Sequence, residues 1–223
     1  MKTDEKKLLH ENAPRFGTFL TEEQIDSLCL FIDLLVEWNS KINLVGTSDR
    51  VRIINELLLD SMVHVPYLPF NGKMVDLGSG AGFPALIIKI IKPDLKVKLV
   101  ESNSKKVSFL KYVIHKLKLT DISPVNGRVE ALTESIRSWE CNIVISRAMT
   151  SLYNVIRLSD PFLGPGSIVA GFMGRDGTKD LKNIKKLLSN YNLVLKESIT
   201  YHLLENKTKR TAVILQKMPI SDA

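Results

Sequence analysis

The chain has little of what builds a disulfide or metal scaffold. Its 223 residues include two cysteines, Cys29 and Cys141, far apart and without a CxxC pair. That argues against a disulfide framework and a zinc cluster, and for a reducing, cytoplasmic setting. The four histidines, His10, His64, His115 and His202, form no metal motif, so no metal is expected. Neither cysteine has a local catalytic partner, which leaves nucleophilic hydrolysis unsupported. No run approaches the roughly 18 apolar residues of a membrane span, and the opening MKTDEKKLLHENAPRF lacks the apolar stretch of a signal peptide. Aromatic residues are 7% of the chain, and Phe31, Trp38, Phe109 and Tyr112 have the spacing of helix faces, which favours core packing over base stacking. Nothing demands a dimer, so a monomer is expected.

What remains is ordinary globular composition, 44% hydrophobic and 25% charged. Collagen-like, low-complexity and wholly disordered chains are excluded. Lysine and arginine number 31 against 24 acidic residues, a net charge of +7, which favours polyanions without identifying one. Nine lysines lie between Lys89 and Lys118, opposed by Asp94 and Glu101 alone. They form either a phosphate-binding patch or a solvated helix face. Lys179, Lys182, Lys185 and Lys186, with Lys207, Lys209 and Arg210, offer a second possible stripe.

Apolar periodicity divides the chain at about residue 70. Thr21, with Gln24 three residues on, signals a helix start. Ile25, Leu28, Phe31, Ile32, Leu35 and Trp38 then share one face. A second helical segment covers about 49–64. Residues 1–70 therefore read as a helical extension, and 71–223 as an α/β domain of alternating strands and helices. Strands are expected near 96–100, 122–126, 142–146 and 167–172, with helices near 104–117, 129–137, 151–162 and 179–189. Runs 193–201 and 210–216 look like a paired antiparallel edge.

The sharpest local feature is Asp76-Leu77-Gly78-Ser79-Gly80-Ala81-Gly82-Phe83-Pro84, which ends an apolar strand and opens a helix. In open α/β sheets that is the carboxyl edge, where ligands bind. The loop has no GxxxxGK[ST], and Phe83 stands where GxGxxG needs its last glycine. The GxGxG spacing is better known from S-adenosylmethionine enzymes. Glu101 ends the next strand and can accept hydrogen bonds from a ribose diol, which alone separates neither NAD from S-adenosylmethionine nor a ligand from a helix cap. Arg128-Val129-Glu130 and Ser146-Arg147-Ala148 follow the third and fourth strands and fall at the same edge.

WNSKINLVG (38–46), LLLDSM (57–62), VDLGSGAGFP (75–84), ESNSKKVSFL (101–110), RVE (128–130) and SRA (146–148) occur in this order. Together they resemble the bacterial small-subunit ribosomal RNA guanine-N7 methyltransferase family, also called glucose-inhibited division protein B. The resemblance implies a Rossmann-like class I S-adenosylmethionine-dependent methyltransferase with an N-terminal helical extension. Its cofactor is S-adenosyl-L-methionine, and its partner is 16S ribosomal RNA, the small subunit or an assembly intermediate. It assigns the cofactor to Gly78, Ser79, Gly80, Gly82, Phe83, Glu101, Val129, Glu130 and Arg147, with Arg147 also at the reacting base. RNA contacts are expected from Lys105, Lys106 and Arg210, and Asn39 and Asp60 can help hold the pocket. The sequence departs from the family where an Arg-His pair usually precedes the LDS segment (here Glu56-Leu57), at a lysine after the fifth strand (here Met173), and at a late Arg-His (here Arg210-Thr211). Other readings are a different RNA position or a small-molecule acceptor, or a non-catalytic RNA-binding assembly factor.

Overall fold

The structure, a computed structural model, describes residues 2–147, 151–173, 187–204 and 209–219. Ala148, Lys179, Lys182, Lys185, Lys186 and Lys207, and most of the expected 179–189 helix, lie outside them.

The sheet has seven strands: β1 (Gly72–Leu77), β2 (Leu95–Glu101), β3 (Ile122–Asn126), β4 (Ile143–Ser146), β5 (Ile168–Met173), β6 (Leu193–His202) and β7 (Lys209–Lys217). Their order is β3-β2-β1-β4-β5-β7-β6. The first five pair in parallel, while β7 runs antiparallel between β5 and β6. The late pair expected at the edge is thus one edge strand, β6, and one interior strand.

Side chains alternate across a strand, and the core divides accordingly. Met74, Leu99, Ile143, Ile145, Ala170 and Ile214 face one layer. Val75, Val100, Val144, Val169, Val213 and Leu215 face the other. The first layer contains α5 (Ala85–Ile91), α6 (Ser104–Lys116) and the N-terminal helices; the second contains α7 (Val129–Ser138) and α8 (Leu152–Ser159). Parallel strands covered on both faces are apolar on both, as α/β sheets require.

The N-terminal part comprises α1 (Lys2–Asn12), α2 (Glu22–Asn39), α3 (Arg50–Ile53), α4 (Leu59–Ser61) and linking turns. Thr21 and Gln24 form the capping box that opens α2, and the Gln24 side-chain amide also donates to the Ile91 carbonyl at the end of α5, at 3.1 Å. Trp38 lies 5.7 Å from Phe109 and 5.2 Å from Tyr112, ring centre to ring centre, so these aromatics join α2 to α6 in the core. Arg50 joins three helices, bonding Glu5 at 2.8 Å and Asp33 at 2.7 Å. Between α3 and α4 the helix widens to a π turn over Ile54–Leu58. Such widening often marks a functional site.

Candidate functional site

A cavity of about 1030 Å³ opens at the carboxyl ends of the parallel strands. Residues 78–81 and Phe83 of the glycine loop line it, as do Glu101, Lys106, Val129, Glu130, Arg147, Met173 and Arg210. The N-terminal part supplies a wall of Leu44, Val45, Gly46, Thr47, Arg52, Glu56, Leu57 and Asp60.

The glycine loop folds back on β2. Gly78 and Ser79 donate their amides to the Val100 carbonyl, at 2.9 and 3.0 Å. Gly80 donates to Glu101 Oε2 at 2.9 Å, and Asn103 to Glu101 Oε1 at 2.8 Å. Glu101 therefore fixes the loop while also lining the cavity. A carboxylate oxygen has two lone pairs, so acceptor capacity remains for a diol. The backbone adopts positive φ at Gly80 (56°) and Gly82 (93°). A Cβ on Gly80 would meet nothing nearer than the Gly78 carbonyl at 3.9 Å, whereas one on Gly82 would lie 2.2 Å from Leu86 Cδ1. Gly82 thus allows the loop to pack against α5, and it is not among the residues that line the cavity. Phe83 is nearly buried and stands edge-on to Phe31 of α2, ring centres 5.2 Å apart.

Asp60 is fully buried and is the hub of the opposite wall. Its Oδ2 lies 2.9 Å from Arg147 Nη2 and 2.9 Å from Arg210 Nη1, and its Oδ1 accepts from the Tyr201 hydroxyl at 2.6 Å. Arg147 also donates to the Glu56 carbonyl in the π turn. Burial and the Asp60 charge push the Tyr201 phenol well above its ordinary value, so Tyr201 remains a donor. Two guanidiniums on one carboxylate leave the hub with a net positive charge facing the cavity. Asn39 builds the rim: its Oδ1 accepts the amides of Leu44 and Val45 at 2.9 Å each, and its Nδ2 donates to the Thr47 carbonyl at 3.2 Å.

Of the lysines counted in sequence, Lys106 reaches the cavity and Lys105 stands exposed beside it. Others are spent on the fold, which corrects a patch reading of the whole segment. Lys89 is buried and donates to the Pro93 and Leu95 carbonyls at 2.6 Å each. Lys92 lies over the Phe70 ring, and Lys98 over Trp139. His64, four residues after Asp60 in the following 3-10 turn, points into the core. Its Nε2 meets the Gly171 carbonyl at 3.2 Å, and burial lowers its pKa to about 4.

Asp76, near the end of β1 just before the glycine loop, is also a fully buried acid. Neither carboxyl oxygen has a well-formed hydrogen bond. Desolvation, with a smaller push from Glu101, raises its pKa to about 8, and the nearby Ser79 hydroxyl and Ala85 backbone offset only part of this. The folded chain therefore holds this proton up to about pH 8, whereas the unfolded chain releases it near pH 4. Its contribution to stability is full below pH 4 and is lost as pH rises toward 8. Asp76→Asn should remove that slope. Thermal melts of parent and variant should diverge progressively from pH 5 to pH 8, with the variant the more stable. A constant offset between the two would reject this.

Residues 24–210 match the family described as rRNA small subunit methyltransferase G. The chain is 35% identical over 215 residues to the ribosomal RNA small subunit methyltransferase G of Acetivibrio thermocellus, covering 95% of this chain and 88% of that one. It is 33% identical over 205 residues to that of Brevibacillus brevis, covering 91% and 86%. Among solved structures, a precorrin-6y C5,15-methyltransferase from Geobacter metallireducens superposes with a TM-score of 0.53 at 13% identity, covering 79% of this chain and 92% of that one. Aeropyrum pernix fibrillarin with bound S-adenosyl-L-methionine gives 0.52 at 17% identity, covering 66% and 68%. These likenesses show the Rossmann-like class I methyltransferase fold expected from the sequence.

Proposed function

Because this chain belongs to the rRNA small subunit methyltransferase G family, we propose that it transfers a methyl group from S-adenosylmethionine to N7 of a guanine in the decoding-region loop of 16S ribosomal RNA. The observation that supports this most is the meeting, in one cavity, of the Glu101-pinned glycine loop with the Asp60–Arg147–Arg210 hub. The residues fit such a cofactor. Gly80 leaves open space at the strand ends, Glu101 retains acceptor capacity for a ribose, and Val129 and Glu130 line the adjoining wall. The cavity, at the upper end of the usual range for small-ligand sites, has room for a nucleoside and an acceptor base.

When bound, S-adenosylmethionine supplies a methyl group activated by its sulfonium, whose positive charge passes to the purine as the methyl moves. Guanine N7 already has a free lone pair, so the protein needs no general base. Its task is alignment and exclusion of water. Guanidiniums commonly take O6 and N7 of guanine together, but N7 must here stay free. Arg147 and Arg210 therefore hold O6 or a flanking phosphate through the N–H groups that Asp60 leaves unused. Phe83 and Leu57 close the cavity with apolar surface. Lys105 and Lys106 anchor RNA backbone at the mouth. In this reading residues 1–70 form the extension that supplies the acceptor wall, and 71–223 the domain that holds the cofactor.

Incubation with labelled S-adenosylmethionine and small-subunit RNA should place the label in 7-methylguanine. Glu101→Ala should weaken cofactor binding at least tenfold, measured by calorimetry. Label in another base position or in a small molecule would redirect the acceptor. Tight RNA binding with no cofactor affinity would replace catalysis with an assembly role.

A further inference from the structure

Once Lys89, Lys92 and Lys98 are assigned to the fold, exposed Lys96 on β2 and five lysines on and just beyond α6 remain. Lys105, Lys111, Lys116 and Lys118 are exposed and Lys106 is half-buried. Among the described residues none of the five forms an ion pair, although Lys116 lies 5.5 Å from the Tyr112 ring centre on its own helix. No acidic residue occurs from Ser102 to Thr120. Some other surface cations are paired along their helices, as in Lys7–Glu11, Lys41–Glu37 and Arg52–Glu56, each four residues apart. Moreover, α6 opens with Lys105 and Lys106 and has no acid in its first turn, where the helix dipole disfavours cations. A helix face chosen only for solubility would do neither.

The cations also have a direction. Lys106 lines the cavity, and at the far end of α6 Lys111, His115, Lys116 and Lys118 stand around a groove of about 700 Å³ against β3, which Ile114, Leu119, Ile122 and Pro124 also line. Thirteen helical residues span about 20 Å. We propose that the exposed face of α6 is the track for the RNA strand flanking the target nucleotide, with the Lys111–Lys118 groove holding its phosphates beside the sheet edge. This rests on the reading that the acceptor is RNA. Backbone contacts position a strand without reading its sequence, so the track sets affinity and leaves the choice of base to the cavity.

The test is a full-length variant carrying Lys111→Gln, Lys116→Gln and Lys118→Gln, compared with a control carrying Lys7→Gln, Lys41→Gln and Lys73→Gln, which loses the same charge elsewhere. Binding of small-subunit RNA transcript is measured across a salt series. The groove variant should bind about tenfold to a hundredfold more weakly near 0.1 M salt. Its plot of log affinity against log salt should be shallower by about two to three, near 0.7 to 0.9 for each phosphate lost. The loss should appear in KM for RNA, with S-adenosylmethionine affinity and thermal stability unchanged. An unaltered slope, or an equal loss in the control, would overturn the track. So would weakened binding to assembled subunits with unaltered binding to free RNA, since the face would then meet ribosomal protein. If the parent itself does not bind RNA at any salt, the RNA reading falls first and the track with it.

Discussion

Asp60→Ala should yield a protein about 3–5 kcal/mol less stable than its parent, the usual consequence of removing one partner from a buried ion pair, and with methyl transfer reduced by orders of magnitude. The carboxylate has no contact with water and three donors depend on it. Without it the guanidiniums of Arg147 and Arg210 face each other across the space it filled, and the Tyr201 hydroxyl has lost its acceptor. Arg147 retains the Glu56 carbonyl, a neutral partner that cannot offset a second positive charge. Asp60→Asn keeps one oxygen and should fall between the two. Denaturant unfolding measures the stability, and a double-mutant cycle with Arg210→Ala separates the hub from general damage: the two losses should be strongly non-additive. Additive losses, or an Asp60→Ala protein within about 0.5 kcal/mol of the parent, the range of an ordinary surface change, would remove the hub from the account.

The second large effect concerns two neighbouring glycines that a sequence pattern treats alike. Gly82→Ala should destabilise the fold by about 2–5 kcal/mol, combining backbone strain at φ 93° with overpacking of the core. The new methyl would collide with Leu86 Cδ1 and press on Leu110 Cδ2, 3.3 Å away. The displacement would travel through the loop, because Gly82 donates to the Ser79 carbonyl at 2.7 Å and its own carbonyl accepts from Leu86 at 2.8 Å. Gly80→Ala has open space and should lose only about 1–2 kcal/mol, the ordinary strain of a left-handed residue. Its loss should fall instead on cofactor affinity, since its methyl enters the cavity. Unfolding and calorimetric titration of both variants should therefore rank them in opposite orders. Equal stability losses would show that Gly82 is not the packing point.

Local patterns revealed the scaffold. Strand-like runs marked β1, β2 and β4, the Thr21–Gln24 pair marked the start of α2, and the glycine loop with Glu101 marked the carboxyl ends of the strands. Long-range geometry did not show. Asp60 could be named as a pocket residue, but its partners Tyr201 and Arg210 lie 141 and 150 positions away, and no local pattern records such a distance. Asn39 could likewise be named as a pocket residue, but nothing local shows that its side chain, at the end of α2, sets the rim loop. Counting charge overstated the lysine patch because a count ignores burial. Here a signal was present: Lys89 sits inside ALIIKII, where an otherwise apolar helix leaves a lysine little choice but to bury its stem and satisfy its ammonium on nearby carbonyls.

The place of β7 in the sheet bears on how the enzyme is made. Among the described residues, the last strand in the chain is not the outermost; it slots between β5 and β6, which are synthesised before it. Until it arrives β5 has an open edge, β6 has no neighbour, and the Asp60 carboxylate lacks Arg210. A nascent chain can thus form its glycine loop and its five parallel strands while the Asp60 hub is still incomplete. A frameshift or premature stop in the final strand would consequently act like a lesion at the centre of the protein, exposing an unpaired strand edge and a buried charge at once, and quality-control proteases should clear such chains long before any loss of turnover could be measured.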